Sequence, residues 1–282
     1  MRTATWVQPR RSRARIVTTE RSRTLPAVSS RRRRETRIFG RGPYLLGLRK
    51  KPQLWGDGFP FDVPAVEAVE DLALDAPLTL LAGDNGSGKS TLIEAVAEAI
   101  GFPQEGGELE RPGALPAVPH PVLGGALEPV LSATRPRNGY FLRAESFFNV
   151  ASFIGSDHEF APDLSLYGDV PLHAQSHGQS FLALAGNRFG GQGLYILDEP
   201  EAALSVSGAL ALLSVVTRAA RDGAQFVIAT HSPILLACPG ARIYELDERG
   251  LASCEYDDLE TVRLTRGFLE APQRYLRAAL ED

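Results

Sequence analysis

A short, mostly apolar run, Leu78 to Ala82, opens directly into Gly83-Asp84-Asn85-Gly86-Ser87-Gly88-Lys89-Ser90. A helical pattern follows at once. The run reads as a buried strand. From Ser90 to Ile100, Leu92, Ile93, Val96 and Ile100 share one face, Glu94 and Glu98 lie off it, and Gly101 ends the helix. A strand that becomes a helix through Gly-x4-Gly-Lys-Ser suits one chemistry above others. The glycines let N–H groups point inward at phosphate oxygens, and the helix N-terminus adds a favourable dipole. Lys89 would reach the β- and γ-phosphates, and Ser90 would ligate Mg²⁺. The phosphate-binding set is therefore Gly83, Asp84, Asn85, Gly86, Ser87, Gly88, Lys89, Ser90 and Thr91. Composition sharpens the point. The chain has 27 Arg but three Lys, and Lys89 is the one that does not belong to the adjacent pair Lys50-Lys51. A compact ammonium fits such a cradle better than a planar fork.

The rest of the chain supplies a sheet for this strand. Tyr140 to Leu142, Leu194 to Leu197 and Phe226 to Ala229 read as strands. Helices are expected from His177 to Phe189, with Ser176 as N-cap, and from Val206 to Arg221, closed by Gly223. Arg242 to Leu246 and Leu251 to Glu255 look like a hairpin, and residues 259–280 are mostly helical. Residues 101–139 are dense in Pro and Gly and read as irregular; residues 151–174 read as loop. Strands alternating with helices indicate an α/β domain, with ligands at the C-terminal ends of the strands.

Two of those strand ends carry chemistry. Leu194 to Leu197 ends at Asp198-Glu199-Pro200. Beside a phosphate cradle, Asp198 would hold Mg²⁺, and Glu199 would act as general base on the attacking water. Phe226 to Ala229 ends at Thr230-His231-Ser232, which puts His231 within reach of a γ-phosphate as a polar sensor.

Charge is unevenly spread. Residues 1–37 hold twelve Arg against Glu20 and Glu35, a net of +10, so a whole-chain charge of −4 leaves −14 on the remainder. This Arg-rich segment has few large apolar residues and is expected to be disordered. It suits a nucleic-acid tail or a transit peptide, or is an extension without function. The acidic remainder gives no support for strong nucleic-acid binding by the fold itself. Cys238 and Cys254 have no metal-ligand spacing and form no disulfide framework, so a reducing, cytoplasmic setting is expected. No apolar run approaches the length of a membrane span.

Taken together these parts resemble the ABC-type P-loop NTPases: a mainly parallel sheet flanked by helices, with an irregular and helical lobe carrying a signature motif. Within that group the chain is similar to small soluble AAA-family ATPases of the recombination-protein-F and chromosome-maintenance kind. The likeness covers residues 44–282, with 38–282 as the ATPase domain and the lobe at about 101–190. Gly83 to Ser90 matches the Walker A motif, Leu194 to Glu199 matches Walker B with its catalytic Glu, and His231 matches the switch His. Ala202-Ala203-Leu204-Ser205 matches the D-loop, with Ser205 where the family has Asp. Gln175-Ser176-His177-Gly178-Gln179 falls where the signature belongs; Ser176, Gly178 and Gln179 match, and Gln175 and His177 depart. The resemblance implies ATP and Mg²⁺ as cofactors and an ATP-sandwiched homodimer. In that dimer Ser176, His177, Gly178 and Gln179 cap the nucleotide of a second subunit. No Gln lies between Gln104 and Gln175, so the family's Q-loop Gln is missing, and Glu145, with Arg143 nearby, is the candidate for its Mg²⁺-sensing place. A DNA-maintenance, repair or defence setting, with a nucleic-acid or nuclease partner, is the expected context. The energy subunit of a membrane transporter is the alternative.

Overall fold

The computed structural model describes residues 38–39, 41–109, 122–143 and 177–280. Strand β1 (Ile38–Phe39) and β2 (Leu45–Lys50) come first, then helix α1 (Pro64–Glu67), β3 (Asp71–Ala73) and β4 (Leu78–Ala82). Helix α2 (Lys89–Ile100), β5 (Gly107–Glu108), α3 (Val122–Gly125), β6 (Leu127–Leu131), β7 (Thr134–Arg135) and β8 (Asn138–Arg143) follow. The second half runs α4 (His177–Arg188), β9 (Gly193–Asp198), α5 (Val206–Arg221), β10 (Gln225–Thr230) and α6 (Pro233–Leu236). It closes with β11 (Arg242–Asp247), β12 (Gly250–Ser253), α7 (Glu260–Glu270) and α8 (Pro272–Leu280).

The central sheet has seven strands in the order β12-β11-β4-β10-β9-β8-β5. From β11 to β8 every pair is parallel, and the two antiparallel strands, β12 and β5, lie at the edges. Each residue of β4, β9 and β10 is buried, as expected of parallel strands covered on both faces. Alternation divides the side chains between two cores. Leu81, Ile196, Val227 and Phe141 face one core with α2; Leu80, Leu197, Ile228 and Leu142 face the other with α4 and α5. The first core also takes residues of a three-stranded antiparallel sheet in the order β3-β2-β6.

That smaller sheet corrects the expectation of irregular structure over 101–139. Strand β6 contains Pro129, which cannot donate to a ladder, and it survives as an edge strand bonded to β2 alone. Glu98 also departs from expectation. It is buried against α3, where a Cβ at Gly124 would stand 2.5 Å from the Glu98 Cβ. Burial, with Glu94 adding to it, pushes the Glu98 carboxyl above its ordinary range.

Gln225 joins the two sheets. It opens β10, is fully buried, and its Oε1 accepts from Tyr44 N (2.7 Å) and Leu45 N (2.9 Å). Its Nε2 donates to Leu45 O (2.7 Å) and Leu74 O (2.6 Å). One amide therefore satisfies backbone groups on both sides of a sheet junction.

The described residues up to Gly267 form one unit, and those from Phe268 belong to a second. In the second, Pro272 opens α8 and the Phe268 and Tyr275 rings meet edge to face, 6.0 Å apart.

Candidate functional site

The loop between β4 and α2 turns through Asp84, whose carbonyl accepts from Ser87 N at 3.1 Å. Gly88 caps α2 with φ 93°, in the left-handed region, and a Cβ there would lie 2.5 Å from Val63 Cγ1. Both facts require glycine. Asp84, Asn85 and Gly86 are exposed; Ser90 and Thr91 are half-buried in the first turn of α2. The loop borders a cavity of about 410 Å³ whose other side comes from Glu245 to Glu248, Glu260 and Thr261.

Lys89 is 3% exposed. Its Nζ donates to Asp84 O at 2.9 Å and lies 3.4 Å from Glu199 Oε1. Ser90 Oγ donates to Asp198 Oδ1 at 3.1 Å. The pairing of β9 with β10, and of β10 with β4, brings these strand ends together. Burial pushes the Asp198 carboxyl up to about 6; the Ser90 hydrogen bond and Arg143 pull the other way. Arg143, opposite Asp198 on β8, is paired with Glu94 Oε1 at 2.6 Å.

Glu199 has φ 45° and ψ 51°, the sole non-glycine positive φ among the described residues. Such a conformation costs about 1 kcal/mol for an ordinary residue. The chain holds it with a hydrogen bond from Glu199 N to Ala229 O at 2.9 Å. The result is that adjacent carboxylates diverge: Asp198 meets Ser90, and Glu199 meets Lys89 and His231. His231 Nδ1 is 3.6 Å from Glu199 Oε1.

A third carboxylate, missing from the sequence reading, stands beside them. Glu201 lies in the turn Pro200–Ala203. Its Oε1 accepts from Thr230 Oγ1 (2.6 Å), His231 N (2.8 Å) and Ser232 N (3.1 Å). The sequence signal was slight, one more acidic residue after Pro200.

The segment expected to be the signature, residues 175–179, is described in part. Gly178, Gln179 and Ser180 begin α4, with Gln179 exposed and Ser180 buried. A Cβ on Gly178 would stand 2.9 Å from Ala203 O, so the helix start is pressed against the turn that carries Glu201. His177 opens the helix. Ser176 and Glu145 lie outside the described residues. Ser205 caps α5, its side chain accepting from Gly208 N at 3.2 Å, the task an Asp would perform at that position.

No helix among the described residues is long and apolar enough to cross a membrane. Among known proteins, residues 65–107 match a family model described as an AAA domain. The chain is 32% identical over 167 residues to the cytochrome c biogenesis ATP-binding export protein CcmA of Gluconobacter oxydans (strain 621H), covering 58% of this chain and 74% of that one. It is 30% identical over 171 residues to CcmA of Nitrobacter winogradskyi, covering 58% of this chain and 82% of that one. An inward-facing metal-chelate type ABC transporter structure aligns with a TM-score of 0.47 at 19% identity, over 80% of this chain and 88% of that one. On this likeness, and with Gly83 to Ser90, Asp198, Glu199 and His231 gathered at one sheet edge, the chain belongs to the ABC-type P-loop ATPases, which bind ATP and hydrolyse it.

Proposed function

We propose that the chain hydrolyses ATP with Mg²⁺ at this sheet edge and that ATP binding joins two copies head to tail. The placement of Lys89 Nζ and His231 Nδ1 within 3.6 Å of Glu199 Oε1 carries the reading. Lys89 and the amides of Gly83 to Thr91 bind the triphosphate, whose oxygens compete with Glu199 for the ammonium. The released Glu199 carboxylate takes a proton from the attacking water, and His231 contacts the γ-phosphate. Ser90 and Asp198 offer a hydroxyl and a carboxylate 3.1 Å apart. Such a pair suits Mg²⁺, which keeps waters and phosphate oxygens among its ligands rather than needing an all-protein cage. Once bound, Mg²⁺ would neutralise charge on the phosphates.

The Gly178 end of α4 is the proposed cap for the second copy's nucleotide. The test is the Glu199→Gln protein. It should bind ATP, fail to turn it over and elute at twice the monomer mass in ATP and Mg²⁺. Full turnover by that variant would overturn the general-base assignment.

Two settings fit this chemistry, and a specific observation favours each. The Arg-rich segment 1–37 and the absence of Gln between Gln104 and Gln175 favour DNA maintenance, repair or defence. The likeness to proteins named as ATP-binding export proteins favours a membrane-subunit partner. ATPase stimulation by DNA supports the first, and copurification with a multi-span membrane protein supports the second.

A further inference from the structure

Glu201 and His231 each leave one polar atom orphaned. Glu201 Oε2 and His231 Nδ1 are both buried without a hydrogen-bond partner. They belong to side chains already in contact, with Nδ1 3.4 Å from Glu201 Oε1. The Glu201 side chain is 9% exposed, so water does not readily compensate its second oxygen. A buried donor site and a buried acceptor left unmatched on two side chains already in contact are costly, and pairing them would remove that cost.

We propose that Glu201 is the positioning residue of the switch histidine, through a pair that is open in this structure and closes when nucleotide binds. One oxygen does a fixed task. Oε1 gathers Thr230 Oγ1, His231 N and Ser232 N, and so ties the end of β10 to the turn after Asp198-Glu199. The other oxygen is the movable partner. When the ring turns toward the γ-phosphate, Nδ1–H donates to Oε2 and, in the doubly protonated ring, Nε2–H donates to a phosphate oxygen. The same turn presses on Gly178 through Ala203 O. The start of α4 and the histidine therefore share one support.

The inference rests on the proposed role of His231, and the test separates the two. Glu201→Gln keeps an acceptor oxygen for the three converging donors and replaces Oε2 with an amide that cannot accept. Turnover should fall about tenfold, as expected for one lost hydrogen bond to a charged group, with KM for ATP changed less than about threefold. In a His231→Ala background the same substitution should cost nothing more, because its effect runs through the ring. Spectra of ¹⁵N-histidine protein should show the His231 Nδ1 signal moving when the imido analogue of ATP is added to the parent chain, and staying put in Glu201→Gln. Parent-level turnover in Glu201→Gln, or an undiminished loss on the His231→Ala background, overturns the proposal. If His231→Ala itself turns over ATP at the parent rate, the reading of His231 fails and takes this proposal with it.

Discussion

At the scale of single residues, the site depends on three carboxylates within four positions being sent in different directions. Asp198 goes to Ser90, Glu199 to Lys89, and Glu201 to the end of β10. The left-handed backbone at Glu199 is what separates the first two. Removing the ammonium should be felt in binding first. Lys89→Ala is expected to weaken ATP affinity about tenfold to hundredfold, a charge-assisted contact to phosphate being lost, as read by titration with a fluorescent ATP analogue. Glu199→Gln should leave that titration nearly unchanged and lower turnover about 10²–10⁴-fold, the usual range for general-base removal. Equal loss of affinity in both variants would show that Glu199 acts by holding the loop rather than by taking a proton.

At the scale of elements, two junctions decide whether the site is assembled. The first is the contact of α4 with the turn Pro200–Ala203. Gly is a poor helix former, yet Gly178 sits in the first turn of α4 because a Cβ would meet Ala203 O. Gly178→Ala should push the helix start off the turn, cost about 1–3 kcal/mol from overpacking, and lower turnover more than ATP affinity. Melting curves beside steady-state rates would show both effects. The second junction is Gln225. Gln225→Leu fits the volume but strands the Leu45 amide and the carbonyls of Leu45 and Leu74. A loss of about 2–4 kcal/mol in urea unfolding is expected from several unpaired buried groups. A neutral result would mean that water replaces the amide.

At the scale of the whole molecule, the proposed site and the excess of positive charge occupy different parts of the chain. The proposed ATPase domain carries −14 and residues 1–37 carry +10. Protein lacking residues 1–37 should therefore keep its ATPase rate within about twofold, since each group of the Lys89–Glu199–His231 cluster lies outside them. Any affinity for DNA should fall on truncation and depend steeply on salt, the mark of phosphate contacts made by arginine. Salt-independent DNA binding by the truncated chain would move the interaction onto the fold itself.

Much of this is legible in the sequence, for a physical reason. A phosphate loop, a helix face and an apolar strand ending in carboxylates are local patterns, and neighbouring residues enforce them. Val206–Arg221 and the helix beginning at His177 follow from 3.6-residue spacing, and strands β4, β8, β9 and β10 follow from short apolar runs, whereas β5 falls in a stretch that reads as irregular. What tertiary structure decided is what depends on distant partners. Strand β6 exists because β2 offers it an edge that tolerates Pro129. Glu98 is buried because α3 covers it, and Gln225 is a junction because Tyr44, Leu45 and Leu74 arrive from more than 140 residues away. Glu201 has no local signature, since its donors sit 29 to 31 positions along the chain. The sequence by itself determined that Gly83 to Ser90 and the pair Asp198-Glu199 share one sheet edge; only the packing of β10 against β9 decided that Glu201 accepts from the backbone at His231.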